Sequence, residues 1–178
     1  MSPFPNLSYF EENYTTFKAN NVKGLFVQGY ADVPGDFSEL RQYLLAKLLW
    51  DASIDVKATT ADFLRGFYGK AASEIENYLK LLSENQKKSK AYLDIYSGPV
   101  QNRTTYLTPE AMNQYDKFLE KAWQAVDEDK TIQKRVEKLR LALEYTYFEQ
   151  AKFYGADAHG LFITNSNSNI LIYLLNKN

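Results

Sequence analysis

A short apolar run, Val22 to Gln28, stands in a chain otherwise patterned for helix. Leu25, Phe26 and Val27 are consecutive and do not alternate with polar residues. That pattern suits a strand buried on both faces, as in a parallel sheet. Asn20 and Asn21 end the preceding segment, and Gly29 ends the run. A strand cannot satisfy its own N–H and C=O groups. Within this sequence only the C-terminal tail could pair with it. The simplest expectation is that its neighbours are absent. The chain then looks cut from a larger β/α protein, beginning at the last helix–strand unit. Gly29 onward would lie at the strand's C-terminal end, where β/α folds place their ligand loops.

The rest reads as helix. Leu7, Phe10, Tyr14 and Phe17 recur at threes and fours, which predicts a helix over 7–19. Asp36 and Glu39 have the spacing of a capping box, followed by an apolar stripe from Leu40 to Trp50. A further helix is predicted over 56–68, with Asp55 as N-cap, Phe63, Leu64 and Phe67 inward, and Gly69 as stop. Three longer helices follow. The first spans 71–96, with a polar and weak seam around Gln86, and is broken by Ser97-Gly98-Pro99. The second starts at Thr108-Pro109-Glu110: cap, first-turn proline and an acid in the positive first turn. It carries Met112, Tyr115, Leu119, Ala122 and Val126. Asp127, Glu128 and Asp129 mark the boundary to the third, over 131–154.

The expected class is therefore mainly α. An antiparallel helical bundle is preceded by the helix–strand remnant of a β/α barrel. The divisions are 1–35 as the terminal barrel unit, 36–70 as a helical hairpin, 71–157 as a three-helix bundle and 158–178 as a tail. The tail reads either as a hairpin, 161–164 against 170–174, or as an end that does not pack.

Composition narrows function. Twenty-one Lys and Arg against 22 Asp and Glu leave a net charge of −1. Nothing in that balance favours nucleic acid or an anionic membrane surface. No cysteine is present, so thiolate metal sites and cysteine nucleophiles are excluded. His159 is the sole histidine, which makes a multi-histidine metal site or a Ser-His-Asp triad improbable. No cofactor and no metal are expected. No window reaches the roughly 18 apolar residues of a membrane span. The first residues lack the pattern of a signal peptide, and localisation is undetermined. The 14 tyrosines suit half-apolar, half-wet surfaces, such as interdomain seams or carbohydrate clefts.

The segments FEENYTTFKANNVKGLFVQG, ELRQYLLAKLLWD and FLRGFYGKAA carry a resemblance. They look like the C-terminal part of a bacterial family classed as a domain of unknown function. That family belongs with α-glucuronidase-like and hexosaminidase-like glycoside hydrolases and often accompanies polysaccharide-utilisation systems. The resemblance covers about 4–82 well and continues weakly to about 160. It implies a parent protein, periplasmic or at the cell surface, whose (β/α)8-type barrel carries the chemistry. The helical region buttresses that barrel and is inactive alone.

Glycoside hydrolysis generally needs two positioned carboxyl groups. The expected strand carries none. Gln28 and Tyr30, at its end, are the candidates to touch a sugar: an amide can bridge two hydroxyls, and a phenol can stack on a pyranose. Asp32 is the one free acid in the presumed ligand loop and the third candidate. Asp36 is better explained as a cap. Glu11-Glu12 and Lys87, Lys88 and Lys90 read as solvated faces, His159 as a local cap, and Trp50 and Trp123 as wedges between helices. Gly29 and Gly35 lack phosphate-loop spacing. The expected partners are the missing N-terminal barrel and carbohydrate. Self-association is expected through exposed apolar surface around Phe10, Phe17, Leu25 and Val27. The alternative is an autonomous helical module that binds a protein partner through tyrosine-rich faces.

Overall fold

The computed structural model describes residues 2–27 and 35–154, together with the backbone of 156–157 and 160–161. Among them six α-helices follow in order: α1 (Phe10–Ala19), α2 (Ser38–Trp50), α3 (Val56–Tyr68), α4 (Ala72–Ser89), α5 (Pro109–Gln124) and α6 (Lys130–Tyr154). The chain is thus mainly helical, as its periodicity predicts.

Local chemistry explains most helix ends. At the end of α1 the Val22 N–H donates to Phe17 O and the Asn21 N–H to Lys18 O, both at 3.1 Å. Asn21 is left-handed, with φ 56. These two bonds form a Schellman motif, and asparagine tolerates the conformation it requires. Asp55 caps α3 by accepting the Ala58 N–H at 2.8 Å. Gly69 ends α3 with φ 52, and a Cβ there would lie 3.0 Å from Ile132 Cδ1. Glycine is required twice over, by dihedral and by contact. Asp129 Oδ1 accepts the Thr131 and Ile132 N–H groups, each at 3.0 Å, and so caps α6.

Thr108 caps α5, its hydroxyl accepting the Ala111 N–H at 3.2 Å. Replacing Thr108 by alanine orphans that donor and is expected to cost about 1 kcal/mol. Replacement by serine should retain most of the stability. Urea denaturation of both variants checks this.

Three expectations are corrected. The strand at 22–28 does not form over 22–27: no ladder partner exists among the described residues, and an unpaired segment gains nothing from strand geometry. The capping box at Asp36 is absent. α2 begins at Ser38 with no side-chain cap, and Phe37 is left-handed at φ 52. That conformation costs roughly 1–2 kcal/mol. Against it, Phe37 is buried and its ring stacks on Tyr78 at 5.8 Å. The helix expected over 71–96 stops at Ser89. Lys90 turns left-handed, and the buried Gln86 donates to Ala91 O at 2.7 Å while accepting from Tyr9 Oη at 3.1 Å. Gln86 ties off the helix rather than weakening a seam.

Helix α3 packs against α4 and α6, and α5 packs against the same two, so four helices close on one another; α2 packs on α3. Helices α5 and α6 are antiparallel. Trp123 bonds Glu137 at 3.1 Å, Glu120 bonds Arg140 at 2.8 Å, and Leu107 O, just before α5, accepts from Gln150 at 3.0 Å. One apolar cluster joins Leu44, Leu64, Ile75, Tyr78, Met112, Tyr115, Leu119 and Leu143. Burial of this periodic face supplies the main drive for assembly. Past α6, Ala156 pairs with Leu161 and Asp157 with Gly160, antiparallel. That two-residue ladder is not the hairpin expected at 161–164 and 170–174, whose residues 162–174 lie outside the described residues.

Candidate functional site

The apolar run lies on the surface as an arm. Beyond Val22, residues 23–27 make no hydrogen bond among the described residues. Phe26 is 94% exposed, and Leu25 and Val27 about 40%. Beside the arm, a cleft of about 380 Å³ is lined by Tyr14 and Phe17 of α1 and by Leu48, Leu49 and Trp50 of α2. Trp50 is exposed, not wedged between helices as expected; it is the last residue of α2 and projects past the packed stripe. Trp123 does lie at the α5–α6 seam, half-buried and bonded to Glu137. The expected exposed surface around Phe10 and Phe17 is also corrected. Phe10 is buried and Phe17 half-buried, because α1 turns that face onto the core. The apolar patch consists instead of Leu25, Phe26, Val27, Leu49 and Trp50.

The three candidate sugar contacts, Gln28, Tyr30 and Asp32, lie outside the described residues, as do Gly29 and His159. The described chain resumes at Gly35 and enters a polar clamp. Asp36 Oδ2 accepts the Phe4 N–H at 3.2 Å and lies 3.5 Å from the Arg41 guanidinium. Arg41 also donates to Asp36 O at 2.7 Å, to Phe4 O at 2.6 Å and to Asn6 Oδ1. The segment before α1 is thereby fastened to the head of α2. Arg41 was not singled out in the sequence. The available signal was its place on the shoulder of the stripe, between Leu40 and Leu44.

Burial pushes the Asp36 carboxyl up to about 6, and the Arg41 charge and the Phe4 N–H only partly oppose it. Its Oδ1 has no hydrogen-bond partner among the described residues. Burial, reinforced by the Asp36 charge, raises Tyr78 well above the ordinary phenol range and Tyr106 to about 12. The clamp forms one wall of a second cleft, of about 280 Å³, between the N-terminal segment, α3 and α4. Glu11, Lys57, Glu76 and Lys80 stand around it. The Glu11-Glu12 and Lys87, Lys88 and Lys90 side chains are exposed, as their pattern predicts.

Among the described residues, no group of three His, Cys, Asp or Glu side chains could hold a metal ion. No described helix is long and apolar enough to cross a membrane. The geometry defines a helical assembly with an apolar arm at one side that has no hydrogen-bonded partner among the described residues. Residues 1–80 match the model of the family described as "Domain of unknown function (DUF4838)". The match overlaps the resemblance read along 4–82 and ends inside α4, so the weaker continuation to about 160 has no counterpart in it. No curated protein and no solved structure matches the sequence.

Proposed function

We propose that this chain is the C-terminal helical region of a glycoside-hydrolase-like, carbohydrate-processing protein. It supports a catalytic barrel and is not catalytic alone. The observation that carries the reading is the arm at 23–27, whose backbone is unpaired among the described residues and whose Leu25, Phe26 and Val27 are exposed. Unpaired backbone beside apolar side chains is what a strand of a larger sheet presents when its neighbours are removed. The family match over residues 1–80, and the resemblance of the same stretch to glycoside-hydrolase-like proteins, support it. In the parent, Gln28, Tyr30 and Asp32 would follow the barrel strand and reach the sugar. The test is to read the DNA upstream of Met1 and express the longer chain. A barrel-coding region in frame or frameshifted, and slow amide exchange at 23–27 in the longer chain, support the reading. An unrelated upstream gene, or fast exchange at those amides in the longer chain, overturns it.

The second reading, an autonomous helical module for a protein partner, is favoured by a different surface. Tyr92, Ile95 and Tyr96, between α4 and α5, are 88%, 76% and 89% exposed. Both readings leave the arm uncovered in the isolated chain. Self-association through it is expected in analytical ultracentrifugation at high concentration, and Phe26→Asp should restore the monomer. A monomeric wild type that binds no apolar dye contradicts this.

A further inference from the structure

The geometry at Asp36 points to a proton-operated latch: proton uptake by this carboxyl favours the closed position of residues 4–6, and proton loss loosens them. The inference does not depend on the function proposed above. Phe4 is held at both backbone groups, its N–H by Asp36 and its C=O by Arg41. Phe4 and Pro5 form one wall of the cleft that Leu79 and Leu82 of α4 also line. With the segment closed, the Asp36 side chain is 2% exposed and its Oδ1 is buried without a hydrogen-bond partner among the described residues. Lifting the segment would let water reach that oxygen. A charged Asp36 is therefore penalised in the closed position and relieved in the open one.

The surroundings single out this group. Arg41 is the facing cation, with a weaker contribution from the chain's α-amino charge. Tyr68 of α3, Tyr78 of α4 and Tyr106 before α5 face it as phenols whose pKa values burial raises, so they stay neutral. Glu39, on the same helix, is paired with Lys138 of α6, and that bond holds its carboxyl below the usual range against its own burial. Around the cleft, Glu11 and Glu76 are balanced by Lys57 and Lys80.

The sign follows from linkage. Closed, the carboxyl titrates at about 6. Open and hydrated, it should titrate near the ordinary value of about 3.9. The closed state binds the proton more tightly, so acid favours closure, and opening grows as pH rises through about 6. The opening equilibrium should be about tenfold larger at about pH 8 than at about pH 5.

Amide exchange on the whole chain tests this, with rates corrected for their intrinsic pH dependence. The Phe4 amide should be about tenfold better protected at about pH 5 than at about pH 8, while the Tyr78 amide within α4 changes little. Asp36→Asn should remove the difference. Equal protection of Phe4 at both pH values overturns the latch. So does a pH difference that survives in Asp36→Asn, or a parallel change at Tyr78, which would mean global unfolding. The wild-type comparison decides the matter even if the variant does not fold.

Discussion

Arg41→Ala is expected to destabilise the protein by about 3–5 kcal/mol, the usual cost of removing one member of a buried ion pair. The Arg41 side chain is 12% exposed and Asp36 2%, so the remaining carboxylate would be buried without its cation. The loss does not stop at the pair. Asp36 O, held at 2.7 Å, loses this donor, as does Asn6 Oδ1, and Phe4 O, held at 2.6 Å, keeps only the Asn6 N–H at 2.8 Å. Lysine should recover only part of the stability, since a point ammonium cannot fork onto several acceptors. Asp36→Asn should be much milder than Arg41→Ala near neutral pH. Burial outweighs the attraction of Arg41 at this carboxyl, and the amide carries no charge to desolvate. Urea denaturation with an unchanged m-value is the measurement. A loss below about 1 kcal/mol in Arg41→Ala would mean that the clamp adds nothing beyond a surface pair.

Arg140→Ala is the second large effect, about 3 kcal/mol. Arg140 is buried in α6 and forks onto two carboxylates of α5, Asp116 at 2.6 Å and Glu120 at 2.8 Å. Those acids are four residues apart on one helix face, so without the guanidinium they repel each other. The truncation also leaves a void at the seam. Arg140→Met should cost distinctly less. It keeps the stem's volume, and the acids, at 27% and 33% exposure, retain water. Trp123, whose Nε1 bonds Glu137 across the same seam, offers a fluorescence probe alongside thermal melts. Equal losses in the alanine and methionine variants would show that the ion pairs rather than the packing of the Arg140 stem hold the two helices.

The parts of this protein that could be read in the residues share a property: they are made within one turn of chain. Asp55, Thr108 and Asp129 cap helices by bonds to amides two or three residues on. Asn21 and Gly69 stop helices through their own dihedrals. The inward faces of α3, α5 and α6 follow the 3.6-residue period, with Leu64, Leu119 and Leu143 buried as patterned. What could not be read depends on partners far along the chain. Asp36 has the spacing of a cap, yet it is turned toward Phe4, 32 residues away. Gln86 looked like a flaw in a stripe until Tyr9, 77 residues away, met it. The candidate site divides the same way. Its apolar run was visible as a run, but whether it became a strand depended on a neighbour to pair with, and the described residues supply none.

Side-chain period and capping chemistry were enough to determine a succession of helices, most of their starts and the apolar face of each. Only the tertiary structure decided which polar groups go inside and how they are answered there: Asp36 with Arg41, Arg140 with Asp116 and Glu120, Gln86 with Tyr9. It also brought α3 to α6 and left Leu25 to Val27 outside. The physical reason is range. A cap or a helical turn is worth its energy within a few residues, whereas a buried charge or an unpaired strand gains or loses according to groups that folding alone brings near.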